Sequence, residues 1–142
     1  MKCVILAGGK GTRLSEETQE IPKPMIEIGN RPILWHIMKH YSSFGIDEFI
    51  ICTGYKSNYI KNYFVNYKVN NSVIHVDIKD NSVKVDSEVK ENWKISIIDT
   101  GLETNTAGRI KKIAKYIPEE NFLLTYGDGV GNVDIKKTID FH

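Results

Sequence analysis

Three stretches of this sequence carry residue types suited to handling phosphate. The first is LAGGKGTRL, from Leu6 to Leu14, where Gly8, Gly9 and Gly11 precede Arg13. Glycines can take positive φ and let a ligand approach the backbone, and the start of a following helix offers free N–H groups to an anion. Arg13 adds a planar fork for phosphate oxygens. The second stretch is PKP, where Pro22 and Pro24 fix φ on either side of Lys23 and limit the entropy lost in placing its ammonium. The third is YGDG, where Asp128 stands between Gly127 and Gly129 after the apolar run FLLTY. A carboxylate there suits Mg²⁺, which takes one or two protein carboxylates together with phosphate oxygens.

Each stretch also has a plainer reading. The glycines fit an ordinary strand-to-helix turn, Lys23 a solvent lysine in a loop, and Asp128 an Asp-Gly turn residue. The glycine spacing is not the dinucleotide fingerprint, because counting from Gly9 puts Leu14 where the last glycine belongs. Nor is it a Walker A loop, since no Gly-Lys-Ser/Thr closes it. His36 and His40 lie four apart on a helical pattern, but Ile37 stands where a metalloprotease motif has Glu. They read as helix-surface or packing residues.

The totals restrict the field of functions. The chain has 142 residues, 41% hydrophobic and 26% charged, which suits one domain with one core spanning 1–142. A net charge of +1 provides no broad basic field for nucleic acid or an anionic membrane. Lys111, Lys112 and Lys115 cluster, but at helical spacing they read as a solvated face. Cys3 and Cys52 both sit in apolar runs, as buried thiols of a reducing compartment do. The short apolar run of MKCVILAGG is no secretion signal, and no stretch approaches a membrane span. A cytoplasmic protein is expected.

The elements that must position these residues follow from the apolar pattern. CVILAG, EFIICTG, WKISIIDTG and NFLLTYGDG are short apolar strands of the kind buried in a parallel sheet. Ile33, Leu34, Ile37, Met38 and Tyr41 make one helical stripe, and Ile60, Tyr63, Phe64 and Tyr67 a second. Ile110, Ile113 and Ile117 make a third. SVIHVDI and SVKVDSE alternate by two around KDNS and predict a hairpin. DIKKTIDFH begins a last helix, inside which the sequence stops. Strand and helix in alternation predict an α/β fold: a Rossmann-like, mostly parallel sheet with helices on both faces and an inserted β-hairpin. Ligands of such sheets bind outside the carboxyl ends of the strands, here Ala7–Gly9, Thr53–Tyr55, Asp99–Gly101 and Gly127–Gly129.

With these residues collected, the sequence resembles the sugar-1-phosphate nucleotidyltransferases. LAGGKGTRL, PKP and YGDG carry the resemblance to the family. EETQEIPKPMIEIGNRPILWHIMKHYSSFGIDEFIICTGYK, GRIKKIAKYI and TYGDGV are similar to its cytidylyltransferase branch acting on glucose 1-phosphate. The resemblance implies that Leu6, Ala7, Gly8, Gly9, Lys10, Gly11, Thr12 and Arg13 cradle a nucleotide triphosphate and that Lys23 meets phosphate at the reacting centre. It further implies that Thr104 and Arg109 belong to the nucleotide-binding stretch, and that Asp128 binds Mg²⁺. Arg13, Lys23 and Asp128 would then serve catalysis.

The implied partners are CTP and glucose 1-phosphate, reacting to CDP-glucose and pyrophosphate within nucleotide-sugar supply for O-antigen and lipopolysaccharide. The family also implies a homo-oligomer. Ala107-Gly108 replaces the branch's usual paired glycines, and the family's chain continues well beyond residue 142. The resemblance thus implies an amino-terminal, nucleotide-binding half without the second metal carboxylate and the sugar-phosphate lysine. A nucleotide-binding fragment without turnover, or a thymidylyl- or uridylyltransferase, remains open.

Overall fold

The computed structural model describes residues 1–9, 20–117 and 121–142, and every structural statement below concerns these. Among them the elements run β1 (Cys3–Ala7), a 3-10 turn (Lys23–Met25), β2 (Glu27–Ile28), β3 (Arg31–Pro32), α1 (Ile33–Ser42), β4 (Glu48–Thr53) and α2 (Ser57–Val65). There follow α3 (Tyr67–Asn70), β5 (Ser72–Asp77), β6 (Ser82–Ser87), β7 (Lys94–Asp99), α4 (Thr106–Ile113), β8 (Leu123–Tyr126) and α5 (Ile135–Phe141). The α/β expectation holds. β7, β4, β1 and β8 form a parallel sheet in that order, and β5 pairs antiparallel with β6 as the inserted hairpin.

Alternation along β1 and β4 explains why helices cover both faces. Successive strand residues point to opposite sides. Cys3, Ile5 and Ala7 of β1 and Phe49 and Ile51 of β4 pack with Leu34, Ile37 and Met38 of α1 and Ile60 of α2. Val4 and Leu6, with Ile50 and Cys52, pack instead on Ile113 of α4, joined by Ile110 and Ile117. The first and third apolar stripes therefore land where the sequence places them, as do Ile60, Tyr63 and Phe64 of the second. Ile51 is fully buried, and truncating it to Ala would cost about 2–5 kcal/mol.

Two local features depart from the pattern. The second helical stripe is broken at Asn66, so that Tyr67 opens α3 rather than closing α2. A small hairpin, β2–β3, was not anticipated. Its turn residues Gly29 and Asn30 both have positive φ (58° and 63°), the geometry that matches strand twist in a two-residue turn. His36 and His40 lie on the helix surface or in its packing as expected, donating from Nε2 to the carbonyl of Ile28 in β2 and that of Val133 in a loop, each at 2.8 Å. Among the described residues no helix is long and apolar enough to cross a membrane.

Candidate functional site

Parallel register sets the carboxyl ends of the strands side by side. Ala7 lies opposite Thr53, Thr53 opposite Asp99, and Leu6 opposite Tyr126. Beyond this edge opens a cavity of about 320 Å³ lined by β1 and its turn, the PKP segment, the start of α4, Tyr126 and Asp128. Eight residues singled out from the sequence reach it: Leu6, Ala7, Gly8, Gly9, Lys23, Thr104, Arg109 and Asp128. Lys10, Gly11, Thr12 and Arg13 lie outside the described residues. Pro24, Asn105, Thr106 and Tyr126 also line the cavity and were not anticipated. Asn105 had a readable signal, being an N-cap residue. Its Oδ1 accepts from Gly108 N at 2.8 Å, so α4 begins at Thr106.

The two proline-framed and glycine-framed groups meet at the cavity. Lys23 Nζ donates to Asp128 Oδ2 at 2.8 Å, with the side chains 31% and 44% exposed. Pro22 has φ −64° and leads into the 3-10 turn of Lys23–Met25, which Met25 N closes onto Pro22 O at 2.7 Å. The lysine thus stands on a short rigid turn.

Gly8 owes its small size to space rather than to φ, which corrects the sequence expectation at that position. Neither Gly8 nor Gly9 takes the left-handed region. A Cβ on Gly8 would fall 2.1 Å from Arg109 Nη1 and 2.3 Å from its Cζ, so the residue is small because the guanidinium lies against it.

Arg109 is 6% exposed and is engaged by backbone more than by open cavity. Nη1 donates to Thr53 O (2.9 Å) and Thr100 Oγ1 (2.6 Å), and Nη2 to Gly8 O (3.1 Å) and, more weakly, Leu102 O (3.4 Å). Thr104 Oγ1 donates to Thr100 O at 2.6 Å and accepts from Lys112 Nζ at 3.1 Å. Lys112 is exposed, as the solvated-face reading of its cluster expects, and its Nζ also donates to Thr100 O at 2.7 Å. Beneath the site, burial pushes the Cys52 thiol up to about 11, against a smaller opposing pull from the Arg109 charge.

A divalent cation finds one hard ligand here. Asp128 is the only carboxylate among the described residues lining the cavity, and no group of three or more His, Cys, Asp or Glu assembles among them. That donor set fits Mg²⁺ as an ion shared with phosphate oxygens and water, and does not fit a metal caged by protein alone.

Fold and cavity together define an α/β protein with a cationic, glycine-walled pocket at its strand ends. The family model for nucleotidyl transferases matches residues 2–142, and the chain belongs to that family. It is 55% identical to glucose-1-phosphate cytidylyltransferase of Salmonella typhimurium, over 100% of this chain and 56% of that protein. It is 49% identical to a probable glucose-1-phosphate cytidylyltransferase of Bacillus subtilis, with the same shares. Among solved structures, HddC from Yersinia pseudotuberculosis complexed with GMP-PN superposes with a TM-score of 0.71 at 32% identity, covering 99% of this chain and 53% of that one. The chain spans about half the length of the curated relatives it matches.

Proposed function

We propose that the chain is the nucleotide-binding part of a glucose-1-phosphate cytidylyltransferase, which moves a cytidylyl group from CTP to α-D-glucose 1-phosphate and releases CDP-glucose and pyrophosphate. The observation that carries this reading is the meeting of Gly8, Gly9, Lys23 and Asp128 in one cavity at the strand ends. The 55% identity to a protein of that name supports the choice of base and sugar.

The reaction asks little covalent chemistry of the protein. A phosphate oxygen of the sugar attacks the α-phosphorus in line, and the bond to the bridging oxygen breaks as pyrophosphate departs. Such transfers depend mainly on positioning and charge neutralisation. The turn at Gly8 and Gly9 offers close backbone approach to the triphosphate, and Lys23 supplies a charge held on its 3-10 turn. Mg²⁺, for which Asp128 is the available ligand, would neutralise charge on the phosphates. The ion pair between Lys23 and Asp128 is open enough to water for both groups to exchange partners when an anion enters. Buried thiols at Cys3 and Cys52 suit a reducing cytoplasm.

A second reading has its own observation. With one carboxylate among the described residues lining the cavity, the site is also suited to bind nucleotide without turning it over. Incubation with CTP, glucose 1-phosphate and Mg²⁺, followed by pyrophosphate release, separates the two. Nucleotide binding without release favours the binding reading, and absence of both removes the nucleotide assignment.

A further inference from the structure

We propose that His40 is a positioning residue for the loop that carries Asp128, acting through the carbonyl of Val133 and touching neither nucleotide nor metal ion. The proposal rests on the reading of Asp128 as a ligand for Mg²⁺ beside phosphate.

Asp128 opens a run of six residues, 128–133, set between two fixed points. On the strand side, Gly127 N donates to Leu6 O at 2.9 Å, and a Cβ on Gly127 would fall 3.2 Å from Ala7 Cβ. On the helix side, Asp134 caps α5 by accepting from Lys137 N, and Ile135 is buried just after it. Between these points every residue is exposed. Gly129 and Gly131 lie in the run, and nothing packed around them demands glycine. An added Cβ would meet nothing within 4 Å at Gly129, and only Val133 Cγ2, at 3.6 Å, at Gly131. Neither takes positive φ. Such a run has the backbone freedom of glycine and little packing to restrain it.

Among the described residues, two hydrogen bonds join this run to other elements. Lys23 Nζ donates to Asp128 Oδ2 at its start, and His40 Nε2 donates to Val133 O at its end, each at 2.8 Å. The first is the bond that gives way when phosphate and Mg²⁺ enter, because Lys23 and Asp128 then take new partners. The second remains. His40 stands on α1, where its ring meets Tyr41 and Phe44 edge-on, with centroids 6.0 and 5.3 Å apart. A ring steadied in this way orients the Val133 peptide, which leads into the cap of α5. A run left free must be ordered when ligand binds, and a restraint already present lowers that cost.

The test compares wild type with His40→Phe and His40→Gln. Phenylalanine keeps a ring beside Tyr41 and Phe44 but has no donor, whereas glutamine offers an N–H at similar reach. CTP affinity is measured by calorimetry in Mg²⁺ and in EDTA. The loop is probed without ligand by limited elastase digestion, for which the exposed Val130 and Val133 are sites. His40→Phe should reduce the gain in CTP affinity that Mg²⁺ brings by roughly three- to tenfold, the worth of one hydrogen bond, with affinity in EDTA unchanged. Elastase should nick this variant faster within 129–133, and His40→Gln should return both readouts towards wild type. If His40→Phe fails to fold, His40→Ala, which keeps α1 by its high helix propensity, gives the same readouts.

A magnesium gain equal to wild type in the folded variant overturns the proposal. So does a reduced gain with unchanged nicking, which would place His40 at the ligand itself, and so does equal loss in Mg²⁺ and EDTA. His40→Gln behaving like His40→Phe would remove the donor from the argument. Wild type tells the underlying readings apart: no CTP binding ends the nucleotide reading, and equal binding in Mg²⁺ and EDTA ends the metal reading of Asp128. Either result takes this inference with it.

Discussion

Lys23 Nζ and Asp128 Oδ2, which lie 105 positions apart in sequence, stand 2.8 Å from each other at the cavity. A cation and a carboxylate in contact are each oriented by the other, so the site fixes two opposite charges where phosphates and a metal ion need them. Partial exposure keeps the pair's own contribution to stability below about 1 kcal/mol. Changing either member should therefore alter function well before it alters folding.

Lys23→Met, placed in a chain of the relatives' full length, should mainly lower turnover. Its charge is most useful where negative charge builds in the transition state, and the expected loss is about 10²-fold or more. Steady-state kinetics with CTP and glucose 1-phosphate check this, and unchanged kcat would remove Lys23 from the mechanism.

Asp128→Asn keeps shape and removes the charge available to Mg²⁺. Nucleotide affinity should lose its dependence on magnesium, while circular dichroism stays that of wild type. A magnesium titration indistinguishable from wild type would leave Asp128 as a turn residue and partner of Lys23.

Gly54→Ala tests the close packing of the strand ends. Its Cβ would fall 2.7 Å from Gly101 O, 2.8 Å from Gly8 O and 2.9 Å from Arg109 Nη1, and two of those three atoms are backbone. Overpacking of this kind should cost roughly 1–3 kcal/mol, read as a lower urea midpoint with unchanged slope. Nucleotide binding should weaken with it. A midpoint equal to wild type would show that the loops move apart freely.

Base preference follows from polar groups left unpaired by the wrong base. CTP should compete better than UTP, dTTP or GTP for the cavity in a displacement titration. Equal affinities would keep the family and set aside the cytidylyl assignment.

Alkaline pH should destabilise the chain in a defined window. Burial pushes Cys3 to about 12 and Cys52 to about 11, from an ordinary thiol value of 9.0. Both thiols ionise in the unfolded chain before they ionise in the folded one. Their contribution is therefore complete below pH 9 and is lost as pH rises towards 11 and 12. Burial also raises Tyr41, Tyr63 and Tyr67, in the same direction. Urea midpoints measured from pH 8 upward should fall, and Cys3→Ala should fall less steeply. A flat profile would contradict the burial of these groups.

Much of this protein is local in origin and so is readable along the chain. Period-2 and helical spacing report which side of an element is apolar, and this alone foretells the four strands, the three helical stripes and the hairpin of β5 and β6. The rule that ligands sit at the carboxyl ends of parallel strands then points to Gly8, Gly9 and Asp128 before any coordinates. The break at Asn66 and the β2–β3 turn escape this logic because short segments carry too few periods to read.

The roles of Arg109, Lys112 and Gly8 were decided only by the tertiary structure. Nothing along the chain reveals that Arg109 spends its fork on Gly8 O, 101 residues away, or that Gly8 is small to admit it. Nor does spacing reveal that Lys112 reaches Thr100 O, or that Lys23 pairs with Asp128. Periodicity records how a residue partitions between core and water, which depends on its immediate neighbours. A hydrogen bond between distant segments depends instead on sheet order and register, and these exist only once β7, β4, β1 and β8 have paired.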